Sequence, residues 1–250
     1  MKDIYIQKPL KKIMVESNKQ SFTLTKISRL RYQNNLLILI NYLPKKAKVL
    51  DLGCGSGHIM AALKYLRPDV SIVGINPLKD YLWPTVKKQF NVSFKIGTGS
   101  KIPFKNNYFD AVLSIGVMEH VHEFYKGKGN PEKEYLKEVY RVLKKKGIFF
   151  ITHLPNKYSF NENVAKLIGV KPHAHPYSKK QAIKSLNKQK FHVELFHREH
   201  FIPSYFNLVS GFIGSFMNKG YWFVINLDKF LMLTPLRLFC QSFLIVARKK

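Results

Sequence analysis

The 250-residue sequence predicts an α/β fold. The expected architecture is a seven-stranded, mostly parallel sheet, with an N-terminal helical segment before it and an apolar helical insert before its last strand. Three observations predict this. Short β-branched or aromatic runs alternate with helical patterns through the middle of the chain, a pattern that means parallel strands joined by right-handed crossovers. One of those runs leads straight into a glycine-rich loop. Hydrophobic residues make up 46% and aromatics 14%, enough for a buried core, which excludes global disorder.

The elements follow in order. A helix over Lys26–Leu43 places Tyr32, Leu36, Leu39, Ile40 and Leu43 on one stripe, and Pro44 ends it. Five strands are expected at Lys48–Leu52, Val70–Asn76, Val92–Thr98, Phe109–Gly116 and Gly147–Leu154. They are mostly apolar on both faces, as strands covered on both sides should be. The clearest helix is Pro131–Leu143. Leu136, Val139, Tyr140 and Leu143 form its stripe, Asn130 its N-cap and Pro131 its first position; Lys144–Lys146 and then Gly147 are expected to close it. A helix (Ser178–Lys190), a strand (Phe191–His200) and, after the insert, a final strand (Ser242–Arg248) complete the pattern. Three regions result: 1–46, a helical cap; 47–155, the core with the glycine loop; and 156–250, which completes the sheet and carries the insert at about 201–240.

Forty-two Lys+Arg against 15 Asp+Glu give a net charge of +27 and exclude an ordinary balanced surface. Such an excess suits an anionic partner, either a phospholipid surface or nucleic acid, although a lysine-rich coding bias produces the same number. The excess sits disproportionately on the flanks: +8 in residues 1–46, +8 in the longer 47–152 and +11 in 153–250. Within the last segment, residues 201–247 carry only Lys219, Lys229, Arg237 and Asp228, so basic flanks surround an apolar stretch. Two cysteines, Cys54 and Cys240, make no disulfide framework. The first dozen residues lack an apolar signal region, and no apolar run is long enough to cross a bilayer. The expected location is cytoplasmic, with peripheral attachment to the inner membrane surface open to it.

The most informative segment is Val49-Leu-Asp-Leu-Gly-Cys-Gly-Ser-Gly-His58. A strand runs into three glycines and then a helical pattern, Ile59–Leu66. Glycines allow a sharp turn and let a ligand approach the backbone, while a helix N-terminus offers free N–H groups. Such a loop at the carboxyl ends of the strands is a nucleotide site. A dinucleotide fingerprint would need glycine three positions after Gly55, where His58 stands; a plain glycine turn is the other alternative.

With Asp51 two residues before the first glycine, D-L-G-C-G-S-G resembles motif I of the class I S-adenosylmethionine-dependent methyltransferases. Further stretches strengthen the resemblance. Gly97–Phe104 looks like the segment after strand 3 that flanks the adenine. Tyr108–Val121, with its Glu119-His120-Val121 ending, looks like strand 4, and Glu138–Gly147 resembles the helix before strand 5. Order and spacing over about 26–155 match the UbiE-like, type 11 branch. The resemblance implies a Rossmann-like sheet, S-adenosyl-L-methionine as cofactor, and a cofactor site at Asp51, Gly53, Gly55, Gly57, Asn76, Thr98, Gly99 and Ile115. In it the glycines meet the methionine moiety, Asp51 orients the loop and the ammonium end, and Ile115 lines the sulfonium side. Two positions depart from the family pattern. Asn76 stands where an acid usually holds both ribose hydroxyls, which removes a charge-assisted hydrogen bond, and Thr98 replaces a common Asp near the adenine.

On the acceptor side the bases on offer are Glu119, His120, His122, His153, His173 and His175. Glu119, His120 and His153 end strands 4 and 5 on the correct rim and are the catalytic candidates. His173-Ala-His175, with no Cys or acid nearby in sequence, is weak as a metal site, and no metal is expected. Tyr221–Leu233 is apolar nearly all round and, if helical, spans about 20 Å: too short for a bilayer, long enough for a core helix, a lid or an interfacial helix. The expected function is methyl transfer to a small-molecule, lipid-like or membrane-linked acceptor. An RNA methyltransferase using the basic surface and a non-catalytic protein of the same fold are the alternatives. Against RNA, no separate binding module and no N-P-P-Y-type tetrapeptide is present.

Overall fold

The computed structural model describes residues 26–123, 125, 127–167, 173, 175–202 and 220–250, with isolated positions before residue 26; most of residues 1–25 and residues 203–219 of the insert lie outside the described residues. In chain order the elements are α1 (Lys26–Ile40), β1 (Lys48–Leu52), α2 (His58–Leu66), β2 (Ser71–Asn76), α3 (Trp83–Phe90), β3 (Ser93–Ile96) and β4 (Phe109–Ile115). After them come α4 (Pro131–Val142), β5 (Leu143–Pro155), α5 (Phe160–Leu167), α6 (Lys179–Lys188), β6 (Phe191–Glu199), α7 (Tyr221–Leu233) and β7 (Ser242–Lys249).

The strands form one seven-stranded sheet in the order β3-β2-β1-β4-β5-β7-β6. The first five run parallel; β7 inserts antiparallel between β5 and β6. Strand order reverses between β1 and β4, so the carboxyl ends of those two strands flank the crevice where open α/β sheets bind ligands.

Alternation along the central strands feeds two cores. Val49, Leu113, Phe150 and Val246 pack with Leu36, Leu39, Ile59, Met60 and Val86 on the α1–α2–α3 face. Leu50, Val112, Phe149 and Ile245 pack with Tyr135, Leu136, Val139 and Leu186 on the opposite face. Both faces of β1, β4 and β5 are therefore covered, as their apolar runs require.

Two expectations differ from the structure. β3 is not covered on both sides: it pairs only with β2, and Ser93, Lys95 and Ile96 are exposed, because it is the sheet's edge. The lysine run after α4 is not a helix terminus. The helix stops at Val142, Leu143 already pairs with Phe109, and the register shifts before Ala111 meets Ile148. The bulge holds Lys146 at φ +62°, and a side chain on Gly147 would meet the Lys144 carbonyl oxygen at 2.8 Å, so the turn needs glycine there.

Candidate active site

The loop after β1 is left-handed at all three glycines: φ is +71° at Gly53, +49° at Gly55 and +85° at Gly57. Ordinary residues are strained there. The Gly53 and Cys54 amides donate to the Ile75 carbonyl at 2.8 and 3.1 Å, which ties the turn to β2. Trp83 of α3 donates its indole N–H to the Gly55 carbonyl at 2.8 Å. A Cβ at Gly53 would collide with Val117 at 2.4 Å, and one at Gly57 with the Phe94 ring at 2.7 Å; at Gly55 nothing lies within 4 Å. Gly53 and Gly57 are thus required by packing, whereas Gly55 opens onto free space.

Beside the loop is a cavity of about 320 Å³ at the carboxyl ends of β1, β2 and β4, within the size range of small-molecule sites. Gly53, Asn76, Thr98, Gly99, Gly116 and Val117 line it, together with Tyr135 and His120. A Cβ on Gly99 would meet the Tyr135 ring at 2.4 Å, so a bare backbone is what keeps this wall back. Asn76 donates its amide to the Leu78 carbonyl at 2.8 Å, leaving the side-chain oxygen as the acceptor for a hydroxyl. Thr98 and Ser100 pair their hydroxyls at 3.0 Å along the same wall. Glycine backbone at one end and amide and hydroxyl groups at the other fit a ligand with an amino-acid part and a nucleoside part.

Four of the expected cofactor residues do not line the cavity: Gly55 and Gly57 of the loop, Asp51 and Ile115. Asp51 is buried at the end of β1, and burial pushes its carboxyl up to about 7. Ile115 is half-buried and packs against the α1-side core; Gly116 and Val117, just beyond it, form the wall instead.

Two of the three catalytic candidates converge on Gly116, and the third stands nearby on the cavity wall. A Cβ at Gly116 would sit 3.8 Å from Glu119 Oε1 and 4.0 Å from His153 Cβ. Glu119 is buried, its Oε2 has no hydrogen-bond partner, and burial pushes its carboxyl up to about 7. His120, which lines the cavity, pairs Nδ1 with Glu123 Oε1 at 2.7 Å.

His153 lies in the β5 register shift, at φ +59°, a conformation a histidine adopts only when its surroundings impose it. Its N–H donates to Glu199 Oε2 at 2.9 Å, and its ring stacks on Tyr32 with centroids 4.7 Å apart. Asn35 donates to Glu199 Oε1 at 2.6 Å and to Thr152 Oγ1 at 2.7 Å, while the Thr152 hydroxyl reaches the same carboxylate at 2.9 Å. Thr152 therefore spends its proton on Glu199 and accepts from His153 Nδ1 at 3.1 Å. This arrangement holds the imidazole proton on Nδ1 and leaves Nε2 with the lone pair. Burial lowers the His153 pKa, so the ring is neutral and can take up a proton. At Glu199 burial pushes upward, but His153, His200 and the hydrogen bonds outweigh it and hold the carboxylate below its usual range.

Tyr32, Asn35 and Glu199 join the site without having been candidates for it from sequence. The available signals were an amide beside Leu36 within an apolar helix stripe and one of only four acids after residue 152.

Residues 50–151 match the family described as "Methyltransferase domain". An uncharacterized methyltransferase of Schizosaccharomyces pombe is 30% identical over 96 residues, covering 34% of this chain and 34% of that protein. The demethylmenaquinone methyltransferase of Thermotoga maritima is 29% identical over 120 residues, 47% and 48% of the two chains. The chain thus spans about a third to a half of the length of these relatives. A crystal structure of a SAM-dependent methyltransferase from Thermotoga maritima, described as a possible histamine N-methyltransferase, superposes with a TM-score of 0.58 at 18% identity over 94% of this chain and 95% of that one, which shows a shared fold. Fold, glycine loop, cavity and family match agree: residues 50–151 match the methyltransferase-domain family, and the fold around them is that of the class I methyltransferases, whose cofactor is S-adenosyl-L-methionine.

Proposed function

We propose that the chain methylates a small, lipid-like or membrane-linked acceptor presented beside Gly116. The observation that supports this is the insert helix α7. It turns Trp222, Phe223, Phe230 and Leu233 to solvent, and a buried carboxylate ties it down. Asp228 accepts from the Phe201 and Ile202 amides at 2.8 and 2.7 Å and pairs with Arg31 of α1 at 3.1 Å. Arg31 also donates to the Ile202 carbonyl at 2.7 Å. The same helix carries Tyr32 and Asn35, the residues that position His153. An apolar surface is thereby linked to the face of the domain where the acceptor would enter. Among the described residues no helix is long and apolar enough to cross a membrane. The surface suits an apolar acceptor or the margin of an anionic bilayer, to which the basic flanks would be drawn.

Methyl transfer is an in-line displacement on the cofactor's sulfonium, so the protein's work is positioning and proton removal. Gly53, Gly55 and the Gly116–Val117 backbone would seat the cofactor, with Asn76 and Thr98 toward its nucleoside end. His153 Nε2, aimed by Thr152 and Glu199, would accept the acceptor's proton as its oxygen, nitrogen or carbon attacks.

The test is a transfer assay with radiolabelled cofactor, offered cellular lipid extract and total RNA in parallel. Label in the organic phase is expected, together with a loss of about 100-fold or more for His153→Gln. Label confined to RNA would replace this reading with the nucleic-acid one. Cofactor binding without transfer to either would point to a non-catalytic protein.

A further inference from the structure

Sequence order separates His173 from Glu119 and His120. The fold brings it to the edge of the cofactor cavity, beside both of them. One ligating atom from each of these three residues lies within 4.8 Å of the other two. Three ligands about 2.1 Å from a zinc ion stand roughly 3.4 Å apart in a tetrahedral shell, so small side-chain rotations close the set.

Three independent details make this arrangement more than a chance cluster. First, Glu119 is only 4% exposed, and its Oε2 has no hydrogen-bond partner. A buried carboxylate oxygen with nothing to accept from is costly unless a cation meets it. Second, each imidazole is gripped from behind by its own carboxylate. His120 Nδ1 meets Glu123 Oε1 and His173 Nδ1 meets Glu162 Oε1, both at 2.7 Å. Glu162 also accepts from the His173 amide at 2.9 Å, which fixes the backbone there as well as the ring. A carboxylate on one ring nitrogen sets the tautomer, orients the ring and makes the other nitrogen a better ligand, the usual support for a metal-binding histidine. Third, the donor set has a recognisable preference. Two imidazoles and one carboxylate suit zinc and its first-row neighbours, and three protein ligands leave coordination positions open.

We propose that Glu119, His120 and His173 form a binding site for one divalent transition-metal cation at the rim of the methyl-transfer cavity. An open position there would take an oxygen of the acceptor, orienting it and easing loss of its proton. That role rests on the function proposed above; the site itself does not. His122 and His175 stack with ring centroids 3.9 Å apart but are not members of the cluster, and so serve as internal controls.

The experiment uses the untagged full chain, stripped with a chelator and titrated calorimetrically with Zn²⁺, then with Co²⁺ to read the visible bands of a low-symmetry site. One equivalent should bind. His173→Asn and His120→Asn should each weaken binding by at least tenfold, and Glu162→Gln by about tenfold, as removal of such a supporting carboxylate does elsewhere. His175→Asn should change nothing. The His173 side chain is 39% exposed, so its replacement should leave the melting temperature unchanged and the comparison sound. No binding of either ion would overturn the proposal, as would a loss on His175→Asn that His173→Asn does not show. Cofactor binding, titrated separately on the same protein, reports on the methyltransferase reading and fails or survives independently.

Discussion

Asp51 offers the sharpest test of how site and stability are traded in this domain. The carboxyl is 2% exposed, and burial raises its pKa from 3.8 to about 7. A raised pKa means the folded protein holds this proton more tightly than the unfolded chain does. The associated stability is fully present below about pH 4 and is lost as pH rises through about 7. At 1.36 kcal/mol per tenfold change in proton affinity, the ionised carboxylate costs the apoprotein roughly 4 kcal/mol at pH 8. Asp51→Asn keeps the shape and removes the charge. The new amide N–H groups need partners, which takes back about 1–3 kcal/mol, so a net gain of about 2 kcal/mol is expected, some 4–8 °C in melting temperature for a domain of this size. The gain should vanish between about pH 5 and 6 and turn into a net loss near pH 4, where the charge cost is nearly gone and the amide cost remains. Cofactor binding should move the other way. The charge lies two residues from Gly53, and losing it removes attraction for the ammonium end of S-adenosylmethionine, weakening affinity by about tenfold. Wild-type affinity should likewise fall as pH drops below about 7, because binding must then expel a proton. Chemical denaturation from pH 4 to 8 and calorimetric cofactor titration measure both. An Asp51→Asn variant no more stable than wild type at pH 8, or one that binds cofactor equally well, would refute the argument.

Other substitutions separate packing from binding. Gly55→Ala meets no atom within 4 Å, so its cost to folding should be the left-handed strain alone, about 1–2 kcal/mol, while cofactor affinity falls sharply in titration. Gly99→Ala, 2.4 Å from the Tyr135 ring, should lower both the melting temperature and cofactor affinity. Asn76→Asp restores a charged acceptor for the ribose hydroxyls and should tighten cofactor binding by about tenfold. Asp228→Ala strands the buried Arg31 guanidinium and should cost about 3–5 kcal/mol, with hydrogen exchange showing early loss of protection in α7. Arg31→Met combined with Asp228→Leu should recover only part of that stability, because it removes the unpaired charge but leaves the Phe201 and Ile202 amides without their acceptor.

Local pattern makes much of this legible. A strand running into Gly53-x-Gly55-x-Gly57 belongs at a sheet's carboxyl edge because the left-handed turn leaves few other residues able to stand there. The boundaries of β1, β4, β6 and α7 lie within a residue of expectation, since apolar runs and polar breaks are local signals. Less is legible where an element's surroundings decide its role. β3 reads as a covered strand but lies at the edge, and the lysines after α4 read as a helix end but form a bulge. Ile115 sits beside the right glycine yet faces the core, a matter of strand parity by a single residue.

The domain and its cofactor are written in the sequence, because a glycine turn, its strand and its helix are contiguous in the chain. Assembly of the sheet decides the company each acid and histidine keeps. His153 acquires its tautomer through Glu199, 46 residues further on, and through Asn35, 117 residues before the Thr152 that it holds. His173 meets Glu119 only where Glu162 of α5 holds it beside the end of β4. Charge and hydrogen bonding act over a few ångströms of space regardless of chain separation, so the chemistry of these side chains exists only once the sheet is assembled.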